Sequence, residues 1–297
     1  MSQKCMLCNS DSNSKKIGNY PNFNWDVYFC NKCKLGYIHE DEKIIKETLT
    51  KFYSGEYWAE DFRKNRAQSS FVYYKKKFFH KVFRFLRFVG IAAIKTQFHY
   101  NILSKHKKAK SNFLEIGPGN GDTMLYFHKK GYNVFGYEPD EVQAAKINSL
   151  FNKKVCLAEN VETYKINEKY DIIYMSHVFE HLINPKLFLK KIKSNISDNG
   201  IIFIEVPNAG SKIGLENSLS DFVHTYHFTK ESMTTLFENS GFEVIFCETY
   251  KAKSENLVYQ FFSMIFKKNI FKKTKPEVGR DLMIMARKKV NIKKSIK

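Results

Sequence analysis

An α/β fold on a doubly wound, mostly parallel sheet of seven strands is what this sequence predicts, with a small front piece and a helical connector ahead of it. Two observations carry that expectation. From residue 111 to about residue 250, short apolar runs alternate with helix-length amphipathic segments, the pattern of a parallel sheet with crossover helices. One of those runs ends in a cluster of glycines that leads straight into a helix. At 297 residues and 43% hydrophobic, the chain is long enough to bury such a core.

Three regions follow in order: residues 1–40, a zinc ribbon; residues 41–110, a helical connector or cap; and residues 111–290, the sheet domain. In the first, Cys5-x-x-Cys8 and Cys30-x-x-Cys33 are two knuckles separated by 21 residues, a spacing that lets two tight turns offer four thiolates to one Zn²⁺. Four protein ligands leave no open position, so the metal is expected to be structural. Its binding, of order ~10–16 kcal/mol in small zinc peptides, would fold a segment too polar to fold alone.

The connector reads as helix, first over Lys43 to Phe52 and then over Gln68 to His106, where Phe, Tyr, Leu and Val recur at three-to-four spacing. The expected strands are Phe113–Gly117, Asn133–Tyr137, Lys154–Leu157, Tyr170–Met175, Gly200–Val206, Phe242–Thr249 and Asp281–Ala286. Helices are expected at 122–130, 140–151, 185–196 and 229–240, whereas Asn160, Lys165 and Asn167 make 159–168 a poor one. A turn is expected at Pro276 to Gly279.

Lys+Arg 49 against Asp+Glu 30 gives a net charge of +19, which suits phosphate-bearing partners; Lys, Asn, Ile and Phe are also abundant throughout, which reads as compositional bias. The longest apolar run, Phe88 to Ile94, falls far short of the ~18 residues of a spanning helix, and the first residues show no apolar signal core. The expected location is the cytoplasm, with peripheral contact at the inner membrane face as an option.

Phe113-Leu-Glu-Ile-Gly-Pro-Gly-Asn-Gly-Asp122 is a strand ending in Gly117-x-Gly119-x-Gly121. Glycines there permit the turn and let a ligand touch backbone. A dinucleotide site wants its third glycine where this chain has Asp122, and an acid at that mouth repels pyrophosphate. No Gly-Lys-Ser/Thr follows, which excludes a P-loop. Glu138, about 20 residues on, ends the next strand, where a carboxylate can accept both hydrogen bonds of a ribose diol. Together these residues describe a site for an adenosine-type cofactor without phosphates.

In these residues the chain resembles the Rossmann-like class I S-adenosylmethionine-dependent methyltransferases. Their acid-x-Gly-x-Gly-x-Gly motif is matched by Glu115, Gly117, Gly119 and Gly121, and their ribose acid by Glu138, followed by Pro139. Ala158 and Glu159 fall where the family contacts adenine. The stretch from Tyr170 to Pro185, with Ser176, His177 and Glu180-His181-Leu182, is similar to the family's fourth-strand motif. The resemblance covers roughly residues 95–288 and implies S-adenosylmethionine as cofactor. Residues 8–57 look like the zinc-bearing front piece of methyltransferases in bacterial surface-glycan and modified-sugar pathways. That implies O-methylation of a sugar or sugar-phosphate intermediate of surface polysaccharide, the acceptor being a small molecule or nucleotide-linked sugar. The alternatives are an RNA methyltransferase and a non-catalytic module that binds S-adenosylmethionine.

A hydroxyl acceptor must lose a proton, and histidine is the natural base near neutrality. His224 and His227, in a long segment expected to be a flexible lid after Asn208, are the candidate bases, and His181 is a third. His177-x-x-Glu180-His181 shares one face of a helical turn. Metal-dependent relatives carry Glu-x-x-Glu-His here with a later His, so Mg²⁺ is an alternative to a cofactor-ordering role, with His177 standing where those relatives have Glu. Two basic aromatic stretches, Tyr73–Phe88 and Tyr259–Lys273, read as helices that pack on the sheet, form a homodimer contact, lie on an anionic membrane surface or touch RNA.

Overall fold

The computed structural model describes residues 4–10, 12–20, 23–53, 94–220, 223–254, 259, 262–263, 266 and 269–289. They fall into two compact units, one made of 1–40, 165–251 and 273–297 and the other of 41–164 and 252–272.

In the second unit three parallel strands follow one another in space, β4 (Asn112–Ile116), β5 (Asn133–Tyr137) and β6 (Cys156–Leu157). β4 is buried without interruption from Phe113 to Ile116, as a parallel strand covered on both faces must be. Two helices, α1 (Glu42–Tyr53) and α2 (Ile94–Leu103), precede β4; α3 (Asp122–Lys129) follows it and α4 (Glu141–Phe151) follows β5. The Asp140 carboxylate starts α4 by accepting the Gln143 N–H at 2.8 Å, and Asn152 ends it in the left-handed region at φ 48°. β6 is shorter than the expected Lys154–Leu157, because Asn148 Oδ1 accepts the N–H groups of Val155 and Cys156 at 2.7 and 2.8 Å. The segment 159–168 is irregular around a turn at 161–163, with Asn160 Oδ1 accepting the Glu162 N–H. α2 is the described end of the expected 68–106 helix; Tyr73–Phe88 lies outside the described residues.

In the first unit a four-stranded antiparallel sheet runs β1 (Ser14–Tyr20), β2 (Trp25–Cys30), β3 (Leu35–Ile38) and β9 (Tyr226–His227). Its fourth strand comes from late in the chain. Beside it in sequence stand β7 (Tyr170–Ser176) and β8 (Ile196–Pro207), which pair in parallel, and β12 (Asp281–Lys288), which runs antiparallel to both β8 and β10 (Phe242–Ala252). The helices are α5 (Pro185–Ile192), α6 (Lys212–Ser220) and α7 (Lys230–Asn239). α7 opens on a capping box, Thr229 with Ser232.

Several expectations need correction. The helix expected at 185–196 is α-helical to Ile192 and continues as a 3-10 turn over Lys193–Asn195, and β8 begins at Ile196 rather than Gly200, because Asn195 Nδ2 donates to the carbonyls of Ile166 and Glu168 and Ile196 pairs with Tyr170. Phe271–Thr274 is a strand, β11, where the Tyr259–Lys273 stretch is expected to be helical. The segment after Asn208, expected as a long flexible loop, holds α6 and β9. Asn208 itself is buried, its Nδ2 donating to the carbonyls of Pro276 and Gly279 at 2.6 and 2.7 Å. Among the described residues, no helix is long and apolar enough to cross a membrane.

Candidate functional site

β4 carries Glu115 into the glycine turn, where Gly117, Gly119 and Gly121 stand at φ 67°, 57° and 75°. Side chains rarely adopt that region, so the loop presents backbone. At Gly121 a β-carbon would also come within 3.1 Å of Ile147. Glu138, at the end of β5, reaches back to the loop: its Oε2 accepts the Gly119 N–H at 3.2 Å and its Oε1 the Asp140 N–H at 3.4 Å. A carboxylate has about four acceptor directions, so this anchoring is compatible with accepting a diol as well. Glu115 is buried, with no hydrogen-bond partner at Oε2. Burial, with repulsion from Asp122 and Glu138, holds its carboxyl well above the usual carboxylate range against a hydrogen bond from the Met124 backbone. Three acids around one turn make a mouth for a cationic ligand. Pro139 follows Glu138, and Ala158 and Glu159 follow β6, all three exposed in the same unit.

Ser176 and His177 belong to the other unit, at the end of β7, together with all the candidate bases. There the hydrogen bonds fix the tautomers. Tyr20 Oη donates to the Ser218 carbonyl at 3.1 Å, accepts the His224 N–H at 3.1 Å, and lies 3.5 Å from His227 Nε2. With the phenol proton committed, His227 must donate from Nε2 and accept at Nδ1, where Ser218 Oγ stands at 2.7 Å. The Ser218 proton thus goes to His227, and its oxygen accepts from His224 Nδ1 at 2.9 Å. The lone pair of His224 is left on Nε2, 4.0 Å from Glu180 Oε1. His181 donates from Nδ1 to the Val223 carbonyl at 3.0 Å, which puts its lone pair on Nε2 too. Burial pushes His227 down to about 3 and holds His224 and His181 below the ordinary imidazole range.

Glu180 is 1% exposed, and neither carboxylate oxygen has a hydrogen-bond partner. Ligand atoms of Glu180, His181 and His224 lie within 4.8 Å of one another. Two imidazoles and one carboxylate are not the oxygen shell that Mg²⁺ takes, so the donor set fits that ion poorly and no step is assigned to it. His177 groups instead with Glu205 and Asp281. Glu205 is fully buried and accepts from Ser176 Oγ at 2.7 Å. Sequence reasoning missed Tyr20, Ser218, Glu205 and Asp281; of these only Glu205 leaves a signal, an acid inside the apolar run Ile201–Val206.

The four cysteines of the front piece carry sulfurs within 4.8 Å of one another, and Cys8 Sγ stands 3.8 Å from Cys30 Sγ. None is in a disulfide. Burial pushes the Cys5 thiol up to about 11.

A family model for the methyltransferase domain matches residues 79–245, more than half of the sequence. The chain belongs to the methyltransferase-domain family. It is 35% identical over 101 residues to (S)-coclaurine N-methyltransferase of Thalictrum flavum subsp. glaucum, a match covering 31% of this chain and 27% of that enzyme. Over 118 residues it is 28% identical to the ubiquinone biosynthesis O-methyltransferase of Rickettsia canadensis (strain McKiel), covering 38% and 48% of the two. The methyltransferase-domain chain thus spans from about a quarter to about half of the length of these curated relatives. Among solved structures it superposes on a SAM-dependent methyltransferase from Archaeoglobus fulgidus with TM-score 0.52 at 19% identity, covering 70% of this chain and 99% of that one. For an S-adenosylmethionine-dependent methyltransferase from Clostridium acetobutylicum ATCC 824 the values are 0.51, 9%, 72% and 99%. The fold of this methyltransferase-domain protein is therefore Rossmann-like, with a mostly parallel central sheet.

S-adenosylmethionine fits the glycine loop chemically: its ammonium and sulfonium are cations for Glu115 and Asp122, and its ribose diol suits Glu138. Zn²⁺ fits the cysteines, since a tetrahedron of ~2.3 Å Zn–S bonds has edges of about 3.8 Å.

Proposed function

We propose that this protein transfers the methyl group of S-adenosylmethionine to a hydroxyl of a sugar or sugar-phosphate intermediate of surface polysaccharide. The observation that carries the donor half is the acidic glycine loop, in which a buried Glu115 lacks a partner at Oε2 and is repelled by Asp122 and Glu138. Such a loop gains from a bound cation and loses from a pyrophosphate. When bound, the cofactor supplies an electrophilic methyl carbon and a neutral thioether leaving group.

The chain's own residues bind, orient and manage the proton. Glu138 holds the ribose, and the three φ-positive glycines let the cofactor lie against backbone. In-line displacement at a sulfonium needs mainly positioning, so the remaining demand is a base for the acceptor hydroxyl. The candidate bases are His181, His224 and His227, whose imidazoles burial holds below the ordinary range. Four cysteines holding Zn²⁺ stiffen the front hairpin and take no part in chemistry. The sugar acceptor follows from the likeness of the front piece to those of surface-glycan methyltransferases.

Mass spectrometry of the surface glycan and nucleotide-sugar pool tests the reading, comparing a deletion strain with its parent and with a Glu138→Ala complement. Loss of one methyl from a defined sugar, unrestored by the complement, is expected. An unchanged glycan and sugar pool would remove the acceptor class and move attention to RNA or another small molecule.

A further inference from the structure

We propose that Tyr20, from the amino-terminal hairpin, is a positioning residue that keeps the lone pair of His224 on Nε2, the form in which this imidazole can take a proton. This role rests on the methyl-transfer reading above, which leaves open what readies a candidate base. Tyr20, Ser218, Glu180 and both histidines lie in the same compact unit.

A neutral imidazole has one N–H and one lone pair, and the partner of one nitrogen decides what the other offers. Ser218 Oγ stands between two such rings, 2.7 Å from His227 Nδ1 and 2.9 Å from His224 Nδ1. Its proton has no other acceptor among the described residues, so the hydroxyl gives to one ring and receives from the other. The three groups therefore form a chain with two proton directions. In one, His227 carries its proton on Nε2 and His224 on Nδ1. In the other both are exchanged, and His224 Nε2 presents an N–H where a base needs a lone pair.

The ends of the chain decide between them. At one end His227 Nε2 lies 3.5 Å from Tyr20 Oη, a long hydrogen bond. At the other, His224 Nε2 lies 4.0 Å from Glu180 Oε1, beyond hydrogen-bond reach. Tyr20 gives its own proton to the Ser218 carbonyl and accepts the His224 N–H, both at 3.1 Å, so a lone pair is what it has left for His227. That selects the direction with the proton on His227 Nε2. The choice is made among neutral groups, and it holds whether or not Glu180 carries a proton.

The fold keeps the phenol in place. Tyr20 ends β1 opposite Trp25, and at Gly18 β1 runs so close to α6 that a β-carbon would come within 3.3 Å of Leu219, the residue after Ser218. From the other side β3 pairs with β9 at Gly36 and His227, and the Ile38 N–H donates to the Thr225 carbonyl at 3.1 Å. The Tyr20 and His227 rings are nearly parallel, 17° apart with centroids at 6.3 Å. Tyr20 is buried, so water does not readily replace its hydroxyl.

Full-length protein labelled with ¹⁵N in its histidine rings shows by NMR which nitrogen of each neutral ring carries the proton. At about pH 8, above the ~6.5 of an ordinary imidazole, the two rings are identified by the signals lost in His224→Gln and His227→Gln. The proton is expected on Nε2 of His227 and on Nδ1 of His224. The reverse pattern in the unaltered protein would overturn the proposal, with no Tyr20 variant needed.

Tyr20→Phe keeps the ring and removes the oxygen. An N–H on His227 Nε2 then loses its acceptor, and the chain is expected to reverse, moving the His224 proton to Nε2. Ser218→Ala cuts the chain, and adding Tyr20→Phe to it is expected to leave the His224 pattern as it was. A His224 tautomer unmoved by Tyr20→Phe, or moved as much without Ser218, would overturn the proposal; a tyrosine that only packs would move neither ring's proton.

Turnover is measured as S-adenosylhomocysteine formed with the glycan and nucleotide-sugar extract of the deletion strain. Tyr20→Phe is expected to lower it by about 10-fold or more, with S-adenosylmethionine affinity within about threefold of wild type. A reversed tautomer with unchanged turnover would also overturn the proposal. Wild-type protein that binds cofactor yet makes no product from the extract counts against the sugar reading alone, and the tautomers still decide for or against Tyr20.

Discussion

Gly36 faces His227 across the β3–β9 ladder so closely that a β-carbon on Gly36 would stand 2.8 Å from the β-carbon of His227. A side chain there has nowhere to go except into the ring or the sheet. Gly36→Ala is therefore expected to destabilise the protein by about 1–3 kcal/mol, the usual range for overpacking, and thermal melting at neutral pH measures it. An unchanged melting temperature would mean that β9 moves away without loss.

Glu138→Gln keeps the shape of the side chain and removes its charge. S-adenosylmethionine affinity is expected to drop by about 10-fold or more, the worth of a hydrogen bond to a charged group, in isothermal titration calorimetry. Far-UV circular dichroism should change little, because one of the Gly119 and Asp140 N–H groups keeps the amide oxygen to donate to and only the other loses its acceptor.

Glu115 ties cofactor binding to proton release. Its carboxyl is raised in the folded protein by burial and by its acidic neighbours, so its contribution to stability is complete below the unfolded value of ~4.3 and is lost as pH rises through the folded value. A cationic ligand reverses the preference and drives the proton off. The binding enthalpy near pH 6 should therefore vary with the ionisation enthalpy of the buffer, and should cease to vary in Glu115→Gln.

The buried histidines act in the opposite sense. His227 is depressed to about 3, and His181 and His224 are lowered as well. Their contribution is present above the unfolded value of ~6.5 and is lost as pH falls toward the folded values, at about 1.4 kcal/mol per pH unit for each group. Melting curves at pH 7 and pH 5 should show a steep acid loss, shallower in His227→Gln.

Zinc content gives a direct reading of the front piece. About one zinc per chain is expected by elemental analysis, falling in Cys30→Ser together with the melting temperature. Full stability of metal-free protein would remove the structural role.

How much of this was legible beforehand depended on whether the signal was local. The glycine turn, Glu138 and the paired cysteines are short motifs whose spacing carries their chemistry, and the strands of the parallel sheet announce themselves as apolar runs. Asn195 and Asn148 end or shorten elements through side-chain bonds to distant carbonyls or competing N–H groups, and no periodicity reveals that. The segment after Asn208 read as a lid because it is rich in small polar residues; its order comes from Pro276, Gly279 and Tyr20, far away in sequence. Tyr20 and Ser218 carry no motif at all, and only the fold brings them between two histidines.

Thr229 caps α7 and also donates its hydroxyl to the carbonyl of Lys34, the residue just after Cys33. With β9 zipped to β3, the amino-terminal hairpin and the late histidine segment share one small sheet. A front piece joined in this way is no detachable cassette. Transplanted onto another member of the family, it would arrive without its fourth strand, and the recipient's own histidines would lack their template. The two stretches, nearly two hundred residues apart, are thus bound to change together or not at all, and pairs of compensating substitutions between them are where lineages of this protein should record their divergence.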